Sequence, residues 1–111
     1  MKRPASRLLV ILLLSAGMVS SGMAIELTAG QRTYLLHCKS CHGNGVKGAA
    51  MKRQAEWEEL FEDDASALRA LHAKTPVASY FESCAFKAAA ADLYSFLFNY
   101  AADSGNVPTC M

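Results

Sequence analysis

From residue 26 onward, apolar side chains recur every three to four positions and never alternate in twos, so the pattern predicts helices and no strands. Val, Ile and Thr are sparse, and Ala is abundant in runs such as Ala88 to Ala91, which favours helix again. A first helix is expected from about Glu26 to Cys38, with Leu27, Tyr34, Leu35 and Cys38 on its apolar stripe. The glycine-rich stretch Gly43 to Gly48 then reads as a loop, since helix through it is costly. A second helix is expected over Gln54 to Glu62, with Trp57, Leu60 and Phe61 at i, i+3, i+4. A third is expected over Ala65 to Ala73, where Leu68, Leu71 and His72 repeat that spacing before Pro76 stops it. Val77 to Glu82 suits a single helical turn. The last helix, Ala85 to Ala102, carries Phe86, Leu93, Leu97 and Tyr100 on one stripe with Phe96 beside it, and Val107 to Met111 form a tail. The fold class is all-α.

Residues 1–24 have a different pattern. Lys2, Arg3 and Arg7 precede the unbroken apolar run Leu8 to Leu14, and Gly22-Met23-Ala24 suits a cleavage site, as in a secretory signal peptide. The run is shorter than the ~20 apolar residues that span a bilayer. The alternative is an uncleaved N-terminal anchor, the one membrane contact the sequence allows. Removing residues 1–24 from the 111 leaves 87, with all ten Phe, Trp and Tyr retained. It takes away three basic residues and no acid, moving the formal charge from +1 to −2. A nucleic-acid binder would carry a basic excess, so that class is set aside. A domain of 87 residues (25–111) has a small core and needs a disulfide, metal or cofactor to reinforce it.

The four cysteines include the run Cys38-Lys39-Ser40-Cys41-His42, a Cys-x-x-Cys-His sequence. Two thiols one helical turn apart can add across the two vinyl groups of one haem, and the adjacent His then falls beneath the iron. One covalent haem c is therefore the expected cofactor, held by Cys38 and Cys41 with His42 as proximal iron ligand. A thioredoxin-like site would need a βαβ context, which the pattern lacks. A zinc site could use Cys38, Cys41 and His42 or His37, but no second ligand pair completes it.

The surroundings extend the match. Gly30 and Tyr34 ahead of the Cys-x-x-Cys-His-Gly sequence, together with Leu93 to Leu97 in the last helix, resemble the N- and C-terminal helices of class I cytochromes c. That resemblance covers about half of residues 25–111. It implies a cytochrome c-like fold of about four to five helices around one haem. It also implies that the two terminal helices cross with Gly30 and Tyr34 against Leu93, Phe96 and Leu97. In that family the region after the glycine-rich loop approaches the haem propionates, which points to Arg53 and Trp57 as their donors, next to Lys52. The family's usual sixth ligand is a Met in the second half of the domain, and here the chain departs. Met51 lies only nine residues after His42, and Met111 is the last residue. His72 is the favoured replacement, with Met51, Met111 or an open distal site as the alternatives. His37, directly before Cys38, is assigned to the surface. Met51, Phe61, Phe81, Phe86 and Phe96 are expected to pack around the haem.

Cys84 and Cys110 remain. An exported protein meets an oxidising compartment, so a Cys84–Cys110 disulfide is expected, worth about 3 kcal/mol by loop entropy. Two free thiols or pairing between chains are the alternatives. Charge is polarised: residues 25–53 carry Arg32, Lys39, Lys47, Lys52 and Arg53 against Glu26, and residues 54–111 carry three basic residues against nine acids. The basic segment could steer an acidic redox partner, or it could be an ordinary solvated surface. Asp92 and Asp103 read as surface residues. No Ser-His-Asp set, carboxylate pair or phosphate loop is visible, so no catalytic residue is assigned and the protein is not read as an enzyme. The expected role is a monomeric periplasmic carrier of single electrons between redox partner proteins. The alternatives are a haem-based ligand binder, sensor or peroxidase-like protein, and a haem subunit of a larger respiratory complex.

Overall fold

The computed structural model describes residues 27–108. The leader with its cleavage site, Cys110 and Met111 lie outside them. The described residues form helices and no strand: α1 (Ala29–His37), α2 (Lys39–His42), α3 (Gly45–Ala49), α4 (Gln54–Leu71), α5 (Ala78–Phe81) and α6 (Cys84–Asn99). Among them no helix is long and apolar enough to cross a membrane.

Short polar side chains set the helix starts. Thr28 accepts from the Gln31 amide at 3.2 Å, Asn44 from the Lys47 amide at 3.0 Å, and Ser83 from the Phe86 amide at 3.2 Å, each satisfying an otherwise orphaned donor. At the start of α4, Glu56 Oε2 accepts from the Arg53 amide at 2.7 Å. The Gln54 amide donates to Asp103 Oδ1 at 2.8 Å. Asp103 thus ties the chain beyond α6 to the head of α4, a task its surface reading did not contain.

Helices α1 and α6 cross at Gly30. A Cβ there would lie 2.0 Å from the Asp92 carbonyl oxygen and 2.8 Å from Phe96 Cβ, so only glycine permits this approach. Tyr34, one turn on, is fully buried with its ring 5.7 Å from that of Phe96. Leu93, Phe96 and Leu97 are buried on the same helix, as the stripe of the last helix predicts. The core continues through Trp57, Leu68, Phe81 and Phe86.

Helix boundaries differ from the expected ones in three places. The count of four to five helices becomes six, because α2 and α3 are short helices of their own. Gly43 to Gly48 is not simply a loop: the Asn44 cap nucleates α3, and Gly48 sits inside it because Tyr34 Oη would lie 1.8 Å from a Cβ there. The helical cost of that glycine is offset by the close approach it allows. The second and third expected helices are the two halves of α4, joined by non-helical Glu62 (ψ 157°) and by Asp63, Asp64 and Ala65 with φ of 51°, 54° and 56°. Asp tolerates the left-handed region better than most residues, whereas Ala65 is strained there and is buried. Arg69 braces this turn through the Asp64 carbonyl at 3.1 Å and the Asp64 carboxylate at 3.3 Å, and reaches Glu82 at 3.3 Å.

Candidate haem site

A cavity of about 410 Å³ opens between α1–α2 on one side and the second half of α4 with α5 on the other. Its size falls within the ~300–1,000 Å³ typical of ligand sites, and its walls are mostly apolar. Cys38, Cys41 and His42 line it from one side. His72, Leu68 and Phe81 line it from the other, and Leu93 and Leu97 of α6 also face it.

The Cys-x-x-Cys-His segment is set by α1. The Cys38 amide donates to the Tyr34 carbonyl at 2.8 Å, and the His42 amide donates to the Cys38 carbonyl at 3.0 Å, so His42 closes the single turn of α2. Gly43, at φ 80°, then ends it. Tyr34 Oη donates toward the Gly43 carbonyl (2.8 Å) and the Asn44 carbonyl (3.2 Å), clamping the chain just past His42. Burial, with the Cys38 charge second, pushes the Tyr34 phenol up to about 12. Burial also pushes the half-buried Cys38 thiol up to about 11, with Cys41 adding to the rise. A thiol held protonated in this way is the opposite of the depressed, nucleophilic cysteine of a disulfide oxidoreductase.

His72 stands at the end of α4. Its Nδ1 is 2.8 Å from the Leu68 carbonyl, so Nδ1 carries the proton in the neutral ring and Nε2 is left as the lone-pair donor. Its ring stacks on Phe81 at 4.3 Å and 21°. Thr75 Oγ1 donates to the His72 carbonyl at 2.7 Å and closes the helix end. The His42 and His72 ring centres are 6.0 Å apart at 75°. A ligating imidazole nitrogen lies ~2 Å from its metal and the ring centre about 1 Å further back, so two imidazoles on opposite sides of one metal have centres ~6 Å apart. The separation is therefore compatible in distance with two imidazoles that share one metal, and it is equally that of an edge-to-face ring contact. No group of three or more His, Cys, Asp or Glu among the described residues is disposed to hold a metal ion. What the cavity brings together is two imidazoles, His42 and His72, and two thiols, Cys38 and Cys41, on a mostly apolar wall.

The other sequence-predicted residues divide. Trp57 lines the cavity, but its Nε1–H donates to the Ala49 carbonyl at 2.9 Å and is not free for a propionate. Arg53 lies outside the lining, largely exposed, with Nε 3.9 Å from Glu56; Lys52 lines the cavity in its place. Met51 lines it while 46 % exposed. Of the aromatic residues expected around the haem, Phe81 reaches the lining, whereas Phe61, Phe86 and Phe96 do not. Cys84 is exposed at the first turn of α6, and its expected partner Cys110 is beyond the described residues. His37 is not the surface residue its position suggested. It lines the cavity and stacks flat on Tyr80, with centres 3.6 Å apart at 11°. Its place at the last turn of α1 and the aromatic-rich α5 were the available signals. Thr75 was missed, and nothing in its local sequence marks it. No protein-family model, curated protein or solved structure matches this chain.

Proposed function

We propose that this chain is an exported monohaem c-type cytochrome, cytochrome c-like in fold, that carries single electrons between periplasmic redox partners. The observation that carries this reading is that His42 and His72, their ring centres 6.0 Å apart, line one apolar cavity whose wall also holds Cys38 and Cys41. In it, Cys38 and Cys41 would hold the haem through thioethers, and His42 and His72 would bind its iron. The bound haem supplies a one-electron ferric/ferrous couple. Hydrogen bonding of His72 to Leu68 orients its ring and raises its basicity. Leu68, Leu93 and Leu97 keep water from the cavity, and Lys52 offers a cation to the propionates. Cys84 and Cys110 are proposed to pair, and residues 1–24 to direct export.

The Cys38 thiol and the absence of strands among the described residues speak against a thioredoxin-like role. The test is spectroscopic. The purified protein should show a low-spin haem spectrum that CO leaves unchanged, and His72→Ala should convert it to a CO-binding form. Rapid CO binding by the unaltered protein would favour the ligand-binding alternative instead.

A further inference from the structure

A second groove, of about 470 Å³, lies between the first half of α4 and α6 and shares no lining residue with the cavity. Phe61 and Tyr94 give it an aromatic wall, their rings 5.3 Å apart, and Ala90 and Ala91 leave that stretch of α6 without long side chains. Glu58, Glu62 and Asp64 rim it against the one cation Lys87. Burial, with the Glu58 charge second, holds the Tyr94 phenol above its ordinary value. An apolar floor with an acidic rim fits a helix that presents an apolar anchor between basic residues.

The chain carries such a helix face itself. Arg32, Leu36 and Lys39 follow one another at spacings of four and three, all exposed, on α1 and the start of α2. Leu36 is 78 % exposed, the most exposed large apolar side chain among the described residues. Arg32 gives one N–H to the Leu27 carbonyl and keeps the other donors of its guanidinium. At 100° per residue Arg32 and Leu36 lie opposite the Gly30–Tyr34 face of α1 that packs on α6, so they point away from the chain's own groove, and exposed Lys39 follows at the start of α2. Residues 27–53 contain five basic residues and no acid.

We propose that the acidic groove between α4 and α6 docks the Arg32–Leu36–Lys39 stripe of a second copy of this chain, head to tail. The contact is heterologous: a pair keeps one groove and one stripe free for further copies. It is small, so the association is weak, and its attraction is between exposed charges, so it is screened by salt. It stands apart from the haem reading, since neither surface includes a cavity residue.

Sedimentation velocity on the purified protein over a range of concentrations tests this, with the circular dichroism of each variant showing that it remains helical. At low ionic strength the mean mass should rise with concentration, and raising the salt to ~0.5 M should abolish the rise. Glu58→Lys with Glu62→Lys should leave the protein monomeric, and so should Arg32→Glu with Lys39→Glu. Mixing these two charge-reversed proteins should restore association, because each then offers what the other has lost. Leu36→Ser, which alters no charge, should weaken association about tenfold. A protein that stays monomeric at every concentration in low salt overturns the proposal. So does association that survives the groove reversal, or a groove that binds a lysine-rich peptide in a chain that does not self-associate.

Discussion

On the α1–α3 side of the cavity, backbone and side chain approach so closely that no methyl group fits, at Gly30 against α6 and at Gly48 beneath Tyr34. On the α4–α5 side, aromatic rings hold position by stacking: His72 on Phe81, Phe81 against Phe86 at 4.9 Å, and Tyr80 on His37. The first wall is fixed by what its residues lack, the second by what they carry. The first should therefore fail when atoms are added and the second when atoms are removed.

The largest effect is expected on the second wall. Phe81→Ala removes a buried ring and the platform beneath His72, and should cost about 3–5 kcal/mol in denaturant unfolding. A loss below about 1 kcal/mol would show that the stacking does not hold this wall. Next comes Gly30→Ala, which sets a Cβ against the Asp92 carbonyl, where no flexible side chain can yield. It should cost about 1–3 kcal/mol, read from the same unfolding curves. If Gly30→Ala were neutral while Phe81→Ala was severe, the contrast between the walls would be lost on the first side.

Trp57→Phe keeps most of the ring but leaves the Ala49 carbonyl without its donor, and a loss of about 1–2 kcal/mol is expected. A pH series sharpens the clamp at Tyr34. The phenol is raised from 10.0 to about 12 in the folded state, so the native protein holds that proton more tightly than the unfolded chain does. The associated stability is present below pH 10 and is lost as pH rises toward 12. Tyr34→Phe should flatten that part of the stability–pH curve, and an unchanged slope would assign it to other groups. The smallest effect belongs to Arg69→Ala, whose exposed acid partners should make the loss no more than about 1 kcal/mol.

The same contrast separates what the sequence makes legible from what it hides. The first wall was legible because its demands are chemical: two thiols and a His in fixed spacing, with Gly30 and Tyr34 one turn apart facing Phe96. The helical stripes on α6 were legible because burial repeats with the period of the helix. The second wall was legible only in part. His72 stood out by its spacing with Leu68 and Leu71, and it lines the cavity. The platform beneath it comes from Phe81 of a four-residue helix, too short to show a period. The left-handed turn at Asp63 to Ala65 contains no glycine, the usual mark of positive φ, and so gave no sign of itself. The expectation of Arg53 and Trp57 as propionate donors meets a related obstacle at Trp57. A side chain's proximity to the motif in sequence does not show that its N–H is already engaged, as that of Trp57 is with Ala49.

The central claim is that Cys38 and Cys41 carry a haem. The most direct measurement is the intact mass of the protein exported by a host competent in c-type haem attachment, taken after acid-acetone extraction. The account predicts a chain heavier by one haem, with the added mass mapping to the peptide that contains Cys38 and Cys41. A chain of unmodified mass with both thiols free to alkylation would contradict it.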